Sequence, residues 1–362
     1  MTDRDALYAA VLAAPDDDTP RLVYADYLDD TGNRADAIRG RFIRNQVALA
    51  RAEPWSKEYD RLSRATAPVE FHYAKEWATG MEGVVLAAGN SFVRGFLGQV
   101  TCYSKKFVSD GAKLFAAHPI RAVKFAAMTS TRGAAPAADL AASPLLARVH
   151  TLYLNGGAVD DWYVGVVAAS PNVAALRSLS LEAAVVGRDG IGRIGSDGYF
   201  PGVRELTLWN TVNENNTAAL TGSRSLARLE VLSVARAGLK IGPPLRGPGA
   251  VALAESPHLR GLTELELYGQ ELRKRGAEAF AAAYSWPGLR RLSLRGNEIP
   301  GSAIPAFAAN PHLRSLRTID FRFNDIKAGD LVPLRRALPE TRLLTDDTEH
   351  PIRLVLLPED QP

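Results

Sequence analysis

The chain has one cysteine, Cys102, in 362 residues, so it can build neither a disulfide framework nor a cysteine-based structural metal site, and a reducing cytoplasm suits it. Its N-terminus, MTDRDALYAA, lacks the basic, apolar and small-residue order of a secretory leader. No stretch reaches membrane-spanning length without polar interruption, so no membrane partner is expected. Neither sign of charge dominates: 43 basic and 40 acidic residues leave a net +3, and a nucleic-acid partner would need a local patch. With 46% hydrophobic and 23% charged residues, disorder is not expected either.

Signatures of chemistry are equally sparse. Gly190-Ile-Gly-Arg-Ile-Gly195 spells the dinucleotide-binding G-x-G-x-x-G, but the βαβ surroundings that give the motif its meaning are not indicated. Of six histidines, His258 and His312 stand at matching places, in Ser-Pro-His258 and Asn-Pro-His312, and His118 lies just before a similar proline. Such residues read as repeat turns and not as ligands converging on one metal. Cys102 falls at an inward-facing strand position, where a thiol behaves as a small hydrophobe. No nucleophile-elbow motif accompanies the scattered serines and aspartates. The expectation is a chain with no catalytic residues, no cofactor and no metal.

What the sequence does have is a period. Leu289-Arg-Arg-Leu292-Ser-Leu294-Arg-Gly-Asn297-Glu-Ile299 fills the pattern L-x-x-L-x-L-x-x-N-x-L, and Leu316, Ile319, Phe321, Asn324 and Ile326 repeat it. Upstream the L-x-x-L-x-L core recurs at Leu262/Leu265/Leu267, Leu229/Leu232/Val234, Val203/Leu206/Leu208, Leu176/Leu179/Leu181, Val149/Leu152/Leu154, Ile120/Val123/Phe125 and, weakly, Leu97/Val100/Cys102. In a strand, alternate side chains face opposite ways, so Leu292 and Leu294 point to one side while Arg291, Ser293 and Arg295 point to the other. No unit this small can bury its leucines alone, so copies must stack into one parallel sheet. Between strands, Val166–Pro171, Ala250–Pro257 and Ala303–Pro311 read as short alanine-rich helices halted by proline.

The pattern resembles leucine-rich repeats of the ribonuclease-inhibitor type over roughly residues 95 to 345, in about nine units. The resemblance implies an α/β solenoid: a horseshoe with a parallel inner sheet and outer helices. The asparagine that bonds neighbouring backbones in such repeats is present at Asn297 and Asn324, with Gln270 as a stand-in, while Gly157, Ala184, Thr211 and Ala237 fill its place elsewhere. One unit is longer, and its Ile241-Gly-Pro-Pro-Leu-Arg-Gly-Pro-Gly249 segment reads as an inserted loop.

Residues 1–94 lack the repeat and read as a small all-α domain. Thr2 can cap a first helix that stops at Pro15; Thr19 can cap a second with Pro20 in its first turn, ending at Gly32. A third carries Ile38, Phe42, Ile43, Val47 and Leu49, and two more run through Tyr59 and Leu62 and from Glu70 to Trp77. Pro20-Arg-Leu-Val-Tyr-Ala-Asp-Tyr-Leu-Asp-Asp30, with Arg41-Phe-Ile-Arg44-Asn-Gln46, is similar to the bacterial repeat-companion domain, and Arg94-Gly-Phe96 looks like its run into the first repeat. That resemblance implies architecture and no defined activity. Arg21, Asp26, Arg41 and Arg44 read as internal ion pairs or caps, with a shared docking site as the alternative. Residues 346–362 are expected to form a cap or tail, in which Ile352–Leu357 is a candidate closing strand.

Function is expected on the solvent side of the strands. Aromatic side chains at Tyr153, Trp209 and Tyr268, of a type common at binding hot spots, are expected to stand exposed there. Glu182 and Glu205 share that face; Glu264 and Glu266 form an acidic patch beside basic Arg291, Arg295 and Arg322, with Asp320 between. A surface of both signs favours a protein partner, as in a recognition scaffold for bacterial signalling, defence or assembly. The alternative is a nucleic-acid-associated module using the arginine-rich last repeats.

Overall fold

The computed structural model describes residues 2–346, apart from 55, 127, 129–133, 195, 197, 213–215, 237–243 and 284–285. The chain falls into two compact units, residues 1–152 and 153–362.

The first unit begins with four helices: α1 (Asp3–Ala13), α2 (Thr19–Asp30), α3 (Arg34–Arg51) and α4 (Lys57–Trp77). Thr2 caps α1 in a reciprocal capping box with Asp5. Thr19 differs from expectation: it is the first residue inside α2, and its N–H donates to Asp17 Oδ1 at 2.8 Å. The two helices expected on either side of Pro68 are one, α4. Proline removes one helical hydrogen bond, and on the preceding turn the Thr66 hydroxyl donates to Leu62 O at 3.0 Å.

Val11, Tyr24, Ala25, Leu28, Ile43, Val47 and Phe96 make the helical core. Within it, Arg21 is nearly fully buried, donating to Pro15 O at 2.7 Å and Arg94 O at 3.2 Å. Arg94 in turn donates to Asp16 O and Pro15 O, so the two arginines pin the α1–α2 turn to the hairpin at residues 94–95. Gly95 has φ +84°, and a Cβ there would stand 2.5 Å from the Ile43 Cα; only glycine fits both the turn and the close approach. Arg44 pairs with Asp26 and Asp29, while Arg41 is exposed. Arg21 therefore serves the core, and Arg44 an ordinary surface ion pair.

Strand β1 (Ser91–Val93) was not legible in the sequence; it pairs antiparallel with β2 (Phe96–Cys102), which runs parallel to β3 (Ala122–Phe125). Strand β4 (Thr151–Asn155) spans the junction of the two units.

The second unit is a repeat solenoid. Strands β5 (Ser178–Glu182), β6 (Glu205–Trp209), β7 (Val231–Ala235), β8 (Glu264–Tyr268), β9 (Arg291–Ser293), β10 (Thr318–Asp320) and β11 (Arg342–Leu344) pair in sequence order, every pair parallel. Leu179, Leu206, Leu232, Leu265, Leu292 and Ile319 are successive partners on one ladder. All nine aliphatic triplets of the sequence pattern are buried. Their burial is against the helices, as the edge-to-face contact of helical Phe307 with strand-borne Phe321 shows, centroids 5.3 Å apart.

The helices expected before proline are present at Asp161–Ala168, Arg246–Ala254 and Ile304–Ala309. After them, Ser170, Ser256 and Asn310 each accept the N–H of the residue two positions on, which makes His258 and His312 turn residues. The inserted segment departs from expectation in its second half, for Arg246–Gly249 opens a helix. Pro248 is tolerated there because first-turn N–H groups have no helical acceptor. The 241–243 part, Ala237, Gly195 and the proposed closing strand Ile352–Leu357 lie outside the described residues. Gly190 and Gly192 sit within the helix Arg188–Ile194, where a Cβ on Gly190 would meet Asp161 Oδ1 at 2.4 Å, a helix-packing role.

Candidate interaction face

Each rung of the second unit turns two or three side chains away from the helices, and in-register pairing stacks them into columns. A ladder of buried amides sets the turn that follows each strand. Asn297, closed to solvent, donates from Nδ2 to Leu267 O (2.7 Å) and Arg295 O (3.1 Å) and accepts from Gln270 N (2.7 Å). Asn324 does the same one rung on, donating to Leu294 O at 2.8 Å and accepting from Asn297 N at 2.9 Å. Gln270 replaces asparagine one rung back, donating to Tyr268 O at 3.1 Å and Val234 O at 3.4 Å. Thr211 manages a shorter version, donating to Trp209 O at 2.9 Å and Leu181 O at 3.3 Å.

The residue before each of these, like those before Gly157 and Ala184 in two earlier rungs, is left-handed. Gly156, Ala183, Asn210, Gly269, Gly296 and Phe323 have φ of 107°, 49°, 52°, 66°, 67° and 57°. The geometry aims each N–H at the next rung: Ala183 N to Trp209 O (3.0 Å), Asn210 N to Ala235 O (2.8 Å), Gly296 N to Arg322 O (3.0 Å). At Phe323 the acceptor is a carboxylate, Asp346 Oδ1, at 2.7 Å. A phenylalanine in this conformation costs about 1–2 kcal/mol relative to glycine.

Several of the anticipated contact residues are not available at this face. Trp209 is only 6% exposed, contrary to expectation. Its neighbours in register are Glu182 and Ala235. Glu182, on the other side, is also buried and accepts from Asn155 Nδ2 at 3.2 Å. Asp320 and Arg322 are buried together, with Arg322 Nη2 donating to Asp320 Oδ2 at 2.6 Å and Nε to Oδ1 at 3.0 Å. The hydrogen bonds to Asp320 raise the Arg322 guanidinium pKa further, outweighing the opposite pull of burial.

The separate acidic and basic patches also dissolve. Arg291 forms an ion pair with Glu264, its register partner on β8, and Glu266 accepts from Ser233 Oγ at 3.0 Å. Two of the three arginines are thus neutralised by carboxylates inside the face. Glu205 remains exposed, and Tyr153 and Tyr268 are half-buried.

Arg295 is different. Among the described residues no carboxylate lies within ion-pairing distance of it, and its Nε is sealed from solvent without a hydrogen bond. Two rings hold it: its Cζ lies 5.2 Å from the centre of Tyr268 and 4.5 Å from that of Phe323. Tyr268 leans over Gly296, where a Cβ would meet Cε2 at 3.0 Å, and Phe323 stays 58% exposed. Tyr268, Arg295 and Phe323 therefore form one stack across three rungs. Sequence reasoning named the first two and missed Phe323, which the repeat pattern treats as a variable position. The signal was that glycine fills the same place at Gly269 and Gly296.

Among the described residues, no group of three or more His, Cys, Asp or Glu side chains is placed to hold a metal, and no helix is long and apolar enough to cross a membrane. Burial pushes the Cys102 thiol up to about 12, far from a reactive thiolate.

No family model matches the sequence, and no curated protein matches it. Solved structures similar to the chain include a Bacteroides fragilis protein from a structural-genomics consortium, at TM-score 0.44 and 13% identity, covering 70% of this chain and 67% of that one. Another is the yeast Rad7–Elc1 complex, at TM-score 0.28 and 12% identity, covering 59% of this chain and 77% of that one.

Proposed function

We propose that the chain is a non-enzymatic leucine-rich-repeat recognition protein, with a repeat-companion-like helical N-terminus, that docks a protein partner on the helix-free face of its second unit. The observation that carries this reading is the Tyr268–Arg295–Phe323 stack, an arginine with no carboxylate partner among the described residues, flanked by aromatic rings. Tyrosine and arginine dominate binding hot spots because they bury much area at modest entropic cost, and rings that hold the guanidinium in place lower that cost further. The complementary partner presents a carboxylate within an apolar surround.

A nucleic-acid role is less well supported, since Arg291 and Arg322 already face Glu264 and Asp320. Polyanion binding rests on uncompensated cations that release counterions.

The test is capture from the source organism's extract on immobilised full-length protein, with mass-spectrometric identification. A protein retained by the wild type and by Arg291→Ala, but lost from both Tyr268→Ala and Arg295→Ala, is the expected result, with only mild salt dependence. Association that survives both substitutions, or that is nuclease-sensitive and falls steeply with salt, would overturn the reading.

A further inference from the structure

Within the first unit, a cavity of about 500 Å³ opens between α1, α2, α3, the end of α4 and the segment around His118. Its size is that of an ordinary small-molecule site. Tyr8, Tyr24 and Trp77 supply aromatic wall, and Arg39 of α3 supplies charge. The Arg39 guanidinium sits 4.0 Å from the centre of the Trp77 ring and 5.3 Å from those of Phe92 and Phe96. Its Nη1 is sealed from solvent and makes no hydrogen bond, and among the described residues no carboxylate pairs with it.

Arg21, in the same unit, shows what a structural buried arginine looks like, since it donates to two backbone carbonyls. Arg39 has no such partner among the described residues. Burial pulls both guanidinium pKa values down to about 10, so what separates the two is that Arg21 has carbonyl partners and Arg39 lines the cavity.

The other charges on the wall limit what could complete it. Arg4 is paired with Asp36, and Glu76 is exposed at the rim. His118 is tied to Tyr8 Oη at 3.1 Å and Thr79 O at 2.8 Å, and burial lowers its pKa, keeping the ring neutral at physiological pH. Arg4 is taken up by Asp36, so Arg39 is the wall cation left to meet an anion, and Glu76 at the rim disfavours the second negative charge of a doubly charged phosphate. We propose that this cavity binds a small organic carboxylate with an apolar body, the carboxylate on Arg39 and the body against Tyr8, Tyr24 and Trp77. The site is independent of the docking face on the second unit.

Calorimetric titration of the full-length protein with benzoate and hexanoate, against benzyl alcohol and inorganic phosphate, tests it. Saturable binding of a carboxylate is expected, at least about tenfold tighter than benzyl alcohol or phosphate, as a charge-assisted hydrogen bond provides. Arg39→Met, which keeps the aliphatic packing, should weaken carboxylate binding about tenfold or more while leaving Tm equal or higher. Ala35→Trp, at an exposed wall position, should block the cavity without lowering Tm. Absence of saturable binding of either carboxylate overturns the proposal, as does equal binding of benzyl alcohol or phosphate. So does full binding in the Arg39→Met protein or, should that variant not fold, in Ala35→Trp.

Discussion

Asn297→Ala is expected to lower the stability of the protein by about 3–5 kcal/mol, read from urea denaturation of the full-length chain. The side chain is closed to solvent and serves three backbone groups: the carbonyls of Leu267 and Arg295 and the N–H of Gln270. Alanine strips this partner from the Leu267 carbonyl and the Gln270 N–H, at roughly 1–3 kcal/mol each before any relaxation or water entry, while Arg295 O keeps the N–H of Gly269 at 3.4 Å. The loss also spreads, because Asn297 stands between Gln270 and Asn324 in one chain of amides and fixes the turn that presents Arg295. A loss below about 1 kcal/mol would mean that the turns are set by the strands alone.

The second large effect belongs to Asp320→Ala, with an expected cost of about 3–5 kcal/mol. Both members of the Asp320–Arg322 pair have side chains only 8% exposed, so removal of the carboxylate takes from a buried guanidinium the acceptor of its Nε and Nη2 hydrogen bonds. The double variant Asp320→Ala/Arg322→Met should regain most of the loss, since a buried pair and a well-packed apolar pair are of similar stability. Equal destabilisation by single and double variants, measured by the same denaturation, would show that packing and not stranded charge is responsible.

The parallel rungs were legible because two signals agree. Alternation within Leu292-Ser-Leu294 sets which side faces the helices, and the recurring triplets set the register, so Leu206, Leu232, Leu265 and Leu292 could be placed on one ladder from spacing alone. Gln270 as a substitute for asparagine was equally readable, since its amide offers the same donor and acceptor one methylene further out, donating to Tyr268 O and accepting from Leu245 N. The failures share a cause: burial along a column depends on neighbours in register, not on the residue itself. Trp209 is buried between its register neighbours Glu182 and Ala235, and Arg291 is neutralised because Glu264 is opposite. The helical start at Arg246 fails differently, for Pro248 is no obstacle where its N–H was never needed, and Pro68 sits inside α4 at the cost of one helical hydrogen bond. Phe323 escaped notice because a backbone conformation, not a hydrophobic pattern, marks it.

That conformation also supplies the sharpest test. Phe323→Gly relieves about 1–2 kcal/mol of left-handed strain. It gives up about 0.5–1 kcal/mol of ring contact with Arg295 and a similar amount to the freer unfolded chain. Stability should therefore stay within about 1 kcal/mol of the wild type, by urea denaturation, while affinity for the partner captured on the second unit falls about tenfold or more. A variant that binds its partner as tightly as the wild type would contradict the assignment of the stack as the docking anchor.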